Sequence, residues 1–167
     1  MRAGLPSPRW LGALKREWML YHLGDPAFRF MFDAPPEGEW VSLDCETTGL
    51  NVRTDEIVSI GAVRIVGNRI MTSERLELLV RPERGVSAES VRIHRLRERD
   101  LAQGLPIDEA LKQLMRFIGS RPLVGYYLEF DLAPAALRVS RFLPPVPTLS
   151  FDADRVWQSV AASAVVW

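Results

Sequence analysis

Near the N-terminus, apolar residues recur every three to four positions, which is the period of an α-helix. Four of them lie on one side of that helix: Trp10, Leu14, Trp18 and Tyr21. The pattern predicts an amphipathic helix that ends at residues 22–24, where a glycine follows His22 and Leu23. The aromatic side of this helix fits packing across the domain or binding of a partner.

Three later stretches have the pattern of β-strands. They cover residues 40–45, 57–66 and 70–80, and apolar and polar residues alternate most clearly over 74–80. Gly67 and Asn68 predict the hairpin connection between the second and third strands. The three stretches therefore predict a β-meander.

Helices alternate with a short strand after the meander. Ser87 has the character of a helix N-cap, and residues 108–118 place apolar side chains on one face of a longer helix. Residues 123–125 follow as a short buried strand, and a further helix is expected to contain Asp131. This order of elements predicts an α/β domain.

The first predicted strand ends with two carboxylates. Asp44 and Glu46 are two positions apart and precede a Thr-Thr-Gly turn. Side chains with this spacing point to the same face of a strand, so the two carboxylates project together. Such a pair is costly at the edge of a core unless a cation lies between them, and Mg²⁺ or Mn²⁺ is the usual solution. An acidic strand end that faces water is the alternative interpretation.

The composition fits an ordinary globular domain with 47% apolar and 25% charged residues. The formal net charge is zero, so a nucleic-acid-binding surface would have to be local. All but two of the 21 basic residues are arginines, which suit bidentate phosphate contacts. The single Cys45 cannot form an internal disulfide, which favours a reducing cytoplasm, and no signal peptide or membrane segment is expected.

Three blocks of sequence together resemble a known family. Residues 41–50, continued by 55–65, resemble the first exonuclease motif of the DEDD superfamily and the strand that follows it. Residues 91–96 resemble its histidine segment, and residues 122–131 its second exonuclease motif. Within the superfamily, the proofreading (epsilon) subunit family of bacterial DNA polymerase III is the most similar.

The resemblance implies a ribonuclease H-like exonuclease fold, which is a mixed sheet flanked by helices. It extends from about Trp40 to Asp131. We therefore expect an exonuclease domain over residues 39–167, with an atypical C-terminal part, and an N-terminal helical appendage and linker over residues 1–38.

The resemblance also implies a two-metal site. In this superfamily four acidic residues hold two divalent ions about 3.5–4 Å apart. Asp44, Glu46 and Asp131 match three of these acids and are the expected catalytic residues and ligands of Mg²⁺ or Mn²⁺. Further positions match contacts to the substrate nucleotide: Thr47, Thr48, Gly49, Leu50, Glu89, His94, Tyr127 and Phe130. A surface histidine is the alternative interpretation of His94.

Two departures from the family pattern stand out. Tyr126 and Tyr127 replace a His-Asn pair of the second motif, and their rings suit either stacking on bases or packing in the core. The third motif, with its general base and fourth acid, has no match, since no histidine follows His94 and no tyrosine follows Tyr127. We therefore expect a C-terminally incomplete fold, in a chain that is truncated or read out of frame after about residue 132.

Three functional hypotheses follow. The first is a metal-dependent 3′–5′ exonuclease for DNA 3′ ends or single strands, in a proofreading or repair role that can involve a DNA polymerase. The second is a catalytically inactive exonuclease domain that only binds nucleic acid or a partner. The third is an RNA-directed exoribonuclease.

Overall fold

The computed structural model describes residues 9–49, 51, 54–125 and 142. Among these residues, none of the helices has both the length and the apolar content needed to cross a membrane. In chain order the elements are α1 (Arg9–Tyr21), a 3₁₀ helix (Pro26–Phe32), β1 (Glu39–Thr47), β2 (Ile57–Val66), β3 (Arg69–Leu79), α2 (Ala88–His94), α3 (Glu98–Leu101), α4 (Ile107–Ile118) and β4 (Leu123–Val124).

The four strands form one mixed sheet in the order β3-β2-β1-β4. β1, β2 and β3 are antiparallel neighbours, as the meander predicts, and Gly67 makes the β2–β3 turn with a positive φ of 58°. β4 pairs in parallel with β1 after the crossover through the helices. The predicted mixed sheet is therefore confirmed, and β1 lies in its interior.

The structure extends β1 two residues beyond its predicted end. The pairing of β1 with β2 continues past Glu46, where the register shifts, to a last pair between Thr47 and Ile57. Glu46 therefore lies within the strand and not in the turn that follows it.

The main core lies between one face of the sheet and α4. Proline is the residue before α4, acidic residues occupy its first turn, and Gly119 with φ 62° ends it. The buried face of α4 consists of Ala110, Leu111, Leu114, Met115 and Ile118, which confirms the apolar face predicted over residues 108–118. This face packs against residues such as Val41 and Leu43 of β1 and Ile60 of β2.

The segment ahead of the sheet contributes both a buried and an exposed apolar surface. Asp25 caps the 3₁₀ helix by accepting a hydrogen bond from the Ala27 N–H (2.9 Å), and Phe28 of that helix is buried. The 3₁₀ helix contacts α4. By contrast, Trp18 and Tyr21 of α1 are 45% and 86% exposed, so the aromatic side of α1 is not packed into the core.

A cluster of charged side chains joins the beginning of β1 to β2 and to the end of α4. The Glu39 carboxylate accepts hydrogen bonds from Arg64 and Arg121, each with a nitrogen 2.7 Å away. Arg64 also pairs with Glu74. Hydrogen bonds from the two guanidinium groups hold the pKa of Glu39 below its ordinary value.

The end of α2 has an unusual backbone conformation. Arg95 lies in the left-handed region, with φ 64° and ψ 7°, and its N–H donates to the Val91 carbonyl (2.9 Å) to close the helix. Among the described residues, Arg95 is the one non-glycine with a positive φ. Glycine is the preferred residue at such a helix end, because a Cβ is strained there.

We expect Glu39→Gln to lower stability in a pH-dependent way. The pKa of Glu39 is lowered in the folded state, so its contribution is complete above the ordinary pKa of about 4.5 and is lost as the pH falls through the folded pKa. The difference in melting temperature between the wild type and Glu39→Gln should be largest near pH 7 and should shrink below about pH 4.5. Thermal unfolding monitored by circular dichroism measures it. Glu37→Gln, at an exposed acid just ahead of β1, is the matched control and should show no such trend.

We expect Arg95→Gly to increase the free energy of unfolding by about 1 kcal/mol, because glycine adopts a positive φ without the strain of a Cβ. Arg92→Gly is the matched control. Since Arg92 lies within α2, the same replacement there should cost about 0.5–1 kcal/mol. Urea denaturation of both variants tests the pair, and equal effects of the two substitutions would contradict the role of the left-handed conformation.

Candidate active site

β1 separates its apolar and acidic side chains onto opposite faces. Val41 and Leu43 are buried on the side of α4, and Cys45 packs against the same core, as its position between the two acids predicts. Asp44 is exposed and Glu46 is half-buried. Because alternate residues of a strand point to opposite faces, the two carboxylates lie together on the face that α4 does not cover.

Among the described residues, neither the Asp44 carboxylate nor the Glu46 carboxylate has a hydrogen-bond or ion-pair partner. The described residues also contain no group of three or more His, Cys, Asp or Glu side chains that could hold a metal ion. Two unpaired carboxylates at neighbouring positions suit a divalent cation with oxygen ligands, but such a site needs more ligands than these two.

A shallow depression of about 270 Å³ lies beside Asp44 on this face of the sheet. Gly61 of β2 stands directly opposite Asp44, and Glu77 of β3 stands opposite Gly61. Since Gly61 has no side chain, the space between the two acids is open. Glu77 is paired with Arg75 at 2.9 Å, so Asp44 is the acid of this row without a cation.

The loop after β1 is held in place by Asp55. The Asp55 carboxylate accepts hydrogen bonds from the Thr48 hydroxyl (3.3 Å) and from the Asn51 N–H (2.7 Å). Thr48 is also bound to Glu56, since its N–H donates to the Glu56 carbonyl (2.9 Å) and its hydroxyl accepts from the Glu56 N–H (3.0 Å). The Thr47 hydroxyl donates to the Gly49 carbonyl at 2.6 Å. The predicted substrate residues 47–49 therefore form one hydrogen-bonded turn next to the carboxylates.

Gly49 lies against the Asp55 carboxylate. A Cβ at position 49 would be 2.6 Å from Asp55 Oδ2, which is closer than carbon and oxygen atoms approach. Gly49 does not have a positive φ, so this contact, and not backbone conformation, is what requires glycine.

His94, the last residue of α2, presents one unsatisfied nitrogen. The Leu96 N–H donates to His94 Nδ1 (3.0 Å), so the proton of the neutral ring is on Nε2. Nε2 is buried, and it has no hydrogen-bond partner in the described part of the chain. Because a buried donor without a partner is costly, Nε2 is suited to a hydrogen bond with a bound molecule.

The remaining predicted site residues are not brought together with these. Glu89 is exposed in the first turn of α2, and five positions along a helix place it about 140° around the axis from His94. The other predicted residues lie outside the described residues: Leu50, Tyr127, Phe130 and Asp131.

Asp55, Glu56 and Arg84, which organise the loop, are not among the predicted site residues. Asp55 and Glu56 look like the polar beginning of β2, yet they bind the preceding turn. Glu56 also accepts a hydrogen bond from the Arg84 N–H (3.0 Å), and the Arg84 side chain donates to the Thr54 carbonyl (3.2 Å). The feature of the sequence that could have indicated this role is the pair of adjacent acids, Asp55 and Glu56, between the turn at Gly49 and the apolar strand β2.

The chain is similar to a known protein family, to several bacterial proteins and to solved structures. The sequence profile of the exonuclease family RNase_T matches residues 41–161. The match includes both carboxylates, the loop and α2, and it continues past Asp131, where the resemblance in motifs ends.

Among relatives, DNA polymerase III PolC-type of Thermotoga maritima is 33% identical over 109 residues, which are 64% of this chain and 8% of that protein. The DNA polymerase III subunit epsilon-like protein of Rhodobacter capsulatus is 38% identical over 56% of this chain and 13% of its own length. DNA polymerase III subunit epsilon of Aquifex aeolicus is 28% identical over 58% of this chain and 46% of its own length. The chain thus matches less than half the length of each of these relatives.

Solved structures agree on the fold. A product-bound structure of exonuclease I superposes with a TM-score of 0.59 at 15% identity, covering 79% of this chain and 34% of that one. An exonuclease I from Methylocaldum szegediense gives a TM-score of 0.52 at 18% identity over 57% of this chain and 22% of that one. The ribonuclease H-like exonuclease fold is therefore confirmed.

We expect Gly49→Ala to destabilise the protein by about 1–3 kcal/mol, because the new Cβ must displace the Asp55 carboxylate. In an Asp55→Ala background the same substitution should cost much less, which gives a coupling free energy of about 1 kcal/mol or more. Chemical denaturation of the four proteins in this double-mutant cycle measures the coupling.

Gly61→Ala is the matched control for this cycle. A Cβ at position 61 would meet its nearest atom, the Asp44 carbonyl oxygen, at an ordinary 3.8 Å, so this change should be nearly neutral. An equal cost of Gly49→Ala in both backgrounds would contradict the proposed close contact.

Proposed function

The chain belongs to the exonuclease family, and from this membership we propose that it is a divalent-metal-dependent 3′–5′ exonuclease that hydrolyses phosphodiester bonds at DNA 3′ ends. The observation that supports the proposal most directly is that Asp44 and Glu46, whose carboxylates have no cationic partner among the described residues, lie beside the turn of residues 47–49. A reaction at a strand end requires a metal site and a nucleotide site next to each other, and these two features are adjacent in the chain and in the fold.

Asp44 and Glu46 are the proposed metal ligands of the described residues, and Asp131, outside the described residues, is the proposed third acid. The bound ions, Mg²⁺ or Mn²⁺, would activate a water molecule and stabilise the charge of the leaving 3′ oxygen. The protein side chains contribute position and charge. β1 holds both carboxylates on one face, and the ion pair between Arg75 and Glu77 leaves the Asp44 charge available for the cation.

The terminal nucleotide is proposed to bind at the turn of residues 47–49, with Leu50 next to it. Asp55 and Glu56 hold Thr48 in the turn, and the absence of a side chain at Gly49 keeps the turn compact against Asp55. His94 Nε2 is proposed to donate a hydrogen bond to the substrate, which would satisfy a donor that has no partner among the described residues. Glu89, Tyr127 and Phe130 complete the proposed contacts.

We also propose that the substrate is DNA and not RNA, that the role is in replication or repair in the cytoplasm, and that a DNA polymerase is a partner. The names of two relatives, DNA polymerase III PolC-type and DNA polymerase III subunit epsilon, support this proposal. Because the chain matches only part of each of these proteins, a DNA polymerase is proposed only as the kind of partner and not as a particular complex. Rates on DNA and RNA oligomers of the same sequence test the substrate sugar.

We expect Asp44→Asn to reduce the rate of metal-dependent 3′ shortening by at least about 100-fold. Mutation of a residue that only hydrogen-bonds to a metal ligand already lowers metal affinity or activity by about 10–100-fold, and Asp44 is a proposed ligand itself. The assay follows a 5′-labelled single-stranded DNA oligomer with Mg²⁺ or Mn²⁺. The same variant should bind Mn²⁺ more weakly in calorimetric titration and should melt no lower than the wild type, since repulsion between the two carboxylates is relieved.

Glu37→Gln is the control, because it removes an exposed carboxylate just ahead of β1, at the opposite end of the strand from the site. Full activity of Asp44→Asn would exclude the proposed metal site. A folded wild type that binds DNA and does not shorten it in either metal would instead favour the binding-only exonuclease domain.

A further inference from the structure

We propose that three arginines of the α2–α3 segment, Arg92, Arg95 and Arg97, form an arginine strip that binds phosphates of a nucleic-acid strand on the 5′ side of its terminal nucleotide. This inference rests on the proposed function, because it extends the same site from the terminal nucleotide to the rest of the strand. It adds an interaction surface that the metal and nucleotide residues do not include.

The three guanidinium groups are not neutralised by carboxylates. Arg92, Arg95 and Arg97 are exposed, and their guanidinium groups have no ion-pair or hydrogen-bond partner among the described residues. By contrast, five arginines are paired with carboxylates: Arg16, Arg64, Arg75, Arg99 and Arg121. Residues 92–97 contain three arginines and no acid, so they are a local concentration of positive charge, flanked by Glu89 and Glu98.

The backbone of Arg95 supplies a second, independent observation. Its φ of 64° is a conformation in which glycine would be less strained. The exposed, unpaired Arg95 side chain makes no contact that would compensate for this strain within the described fold. Backbone strain of this kind concentrates at functional sites, where another requirement outweighs the loss of stability. Binding a phosphate is a requirement that arginine meets and glycine does not.

A series of contacts connects Glu98, which follows the last arginine of the strip, to the loop that holds the proposed nucleotide site. Thr48 of the nucleotide turn is bound to Glu56, and Glu56 is bound to the Arg84 N–H. One residue later, Gly85 lies so close to Glu98 that a Cβ there would be 2.8 Å from its carboxylate. The α2–α3 segment is therefore folded back against the loop that holds the nucleotide turn.

The side chains between the arginines suit a nucleic-acid strand. Ile93 is 70% exposed, and the buried Nε2 of His94 has no partner among the described residues. A strand whose terminal nucleotide contacts His94 would carry its next phosphates past Arg95 and Arg97, which follow His94 in the chain. Arg92 lies about 160° around the α2 axis from His94, so it extends the strip away from that contact. Arginine recognises phosphate through bidentate hydrogen bonds, and each such contact releases counterions from the strand.

The test is binding of 5′-labelled single-stranded DNA oligomers of 3 and 12 nucleotides, measured by fluorescence anisotropy at several salt concentrations with Ca²⁺ in place of Mg²⁺. We expect Arg95→Gly to weaken binding of the 12-mer several-fold and to reduce the slope of log affinity against log salt by about 0.7. The triple variant Arg92→Gln/Arg95→Gly/Arg97→Gln should lose about 2 from the slope and most of the affinity gained between 3 and 12 nucleotides. Arg95→Lys, which keeps the positive charge, should retain most of the slope.

Arg69→Gln is the matched control. Arg69 is also exposed and without a partner among the described residues, but it follows the β2–β3 turn, which the pairing of Glu39 with Val66 places at the opposite end of β1 from Asp44. It should bind both oligomers like the wild type. Since Arg95→Gly is expected to raise the melting temperature, weaker binding by this variant cannot result from unfolding.

The outcomes separate this inference from the proposed function. If Arg95→Gly and the triple variant bind the 12-mer like Arg69→Gln, or if all the variants weaken it equally, the arginine strip is excluded even when the protein shortens DNA. If the strip variants lose binding as expected and the wild type hydrolyses nothing, the strip is supported and the exonuclease proposal fails.

Discussion

The two-residue period of β1 is the constraint on which the rest of the structure depends. An interior strand exposes its two faces to different surroundings, and β1 presents Val41 and Leu43 to the core beneath α4 and Asp44 and Glu46 to the other face. A shift of one residue in its pairing with β2 would exchange these faces, burying the carboxylates and exposing the apolar side chains. Packing of the core therefore fixes the positions of the acids.

Charge is distributed unevenly along the same strand. At its beginning, Glu39 is neutralised by Arg64 and Arg121, which connect β1 to its neighbours in the fold. At its other end, Asp44 and Glu46 lack such partners among the described residues. A carboxylate paired with arginines, like Glu39, is typical of an acid that stabilises the fold. Neighbouring carboxylates without a cation, like Asp44 and Glu46, are typical of acids that bind a metal ion. Position within one element thus separates a structural acid from the candidate ligands.

The turn next to the carboxylates is held by hydrogen bonds and a close contact around Asp55. Its carboxylate binds Thr48 and the Asn51 N–H and occupies the space beside Gly49. Glu56 then connects this turn to Arg84 and so to the segment that contains α2. These bonds therefore join the turn after β1 to the beginning of β2 and to the segment that leads into α2.

The sequence by itself determined the elements, because hydrophobic period and turn residues act locally. It predicted β2 and β3 within one residue, the apolar face of α4, the Ser87 cap, and the shared face of Asp44 and Glu46. The motifs also identified the family. Only the tertiary structure decided the length of β1, the exposed aromatic side of α1, the contacts of Asp55 and Glu56, and the strained conformation of Arg95. These features depend on strand register and on contacts between distant segments, which no local pattern of residues specifies.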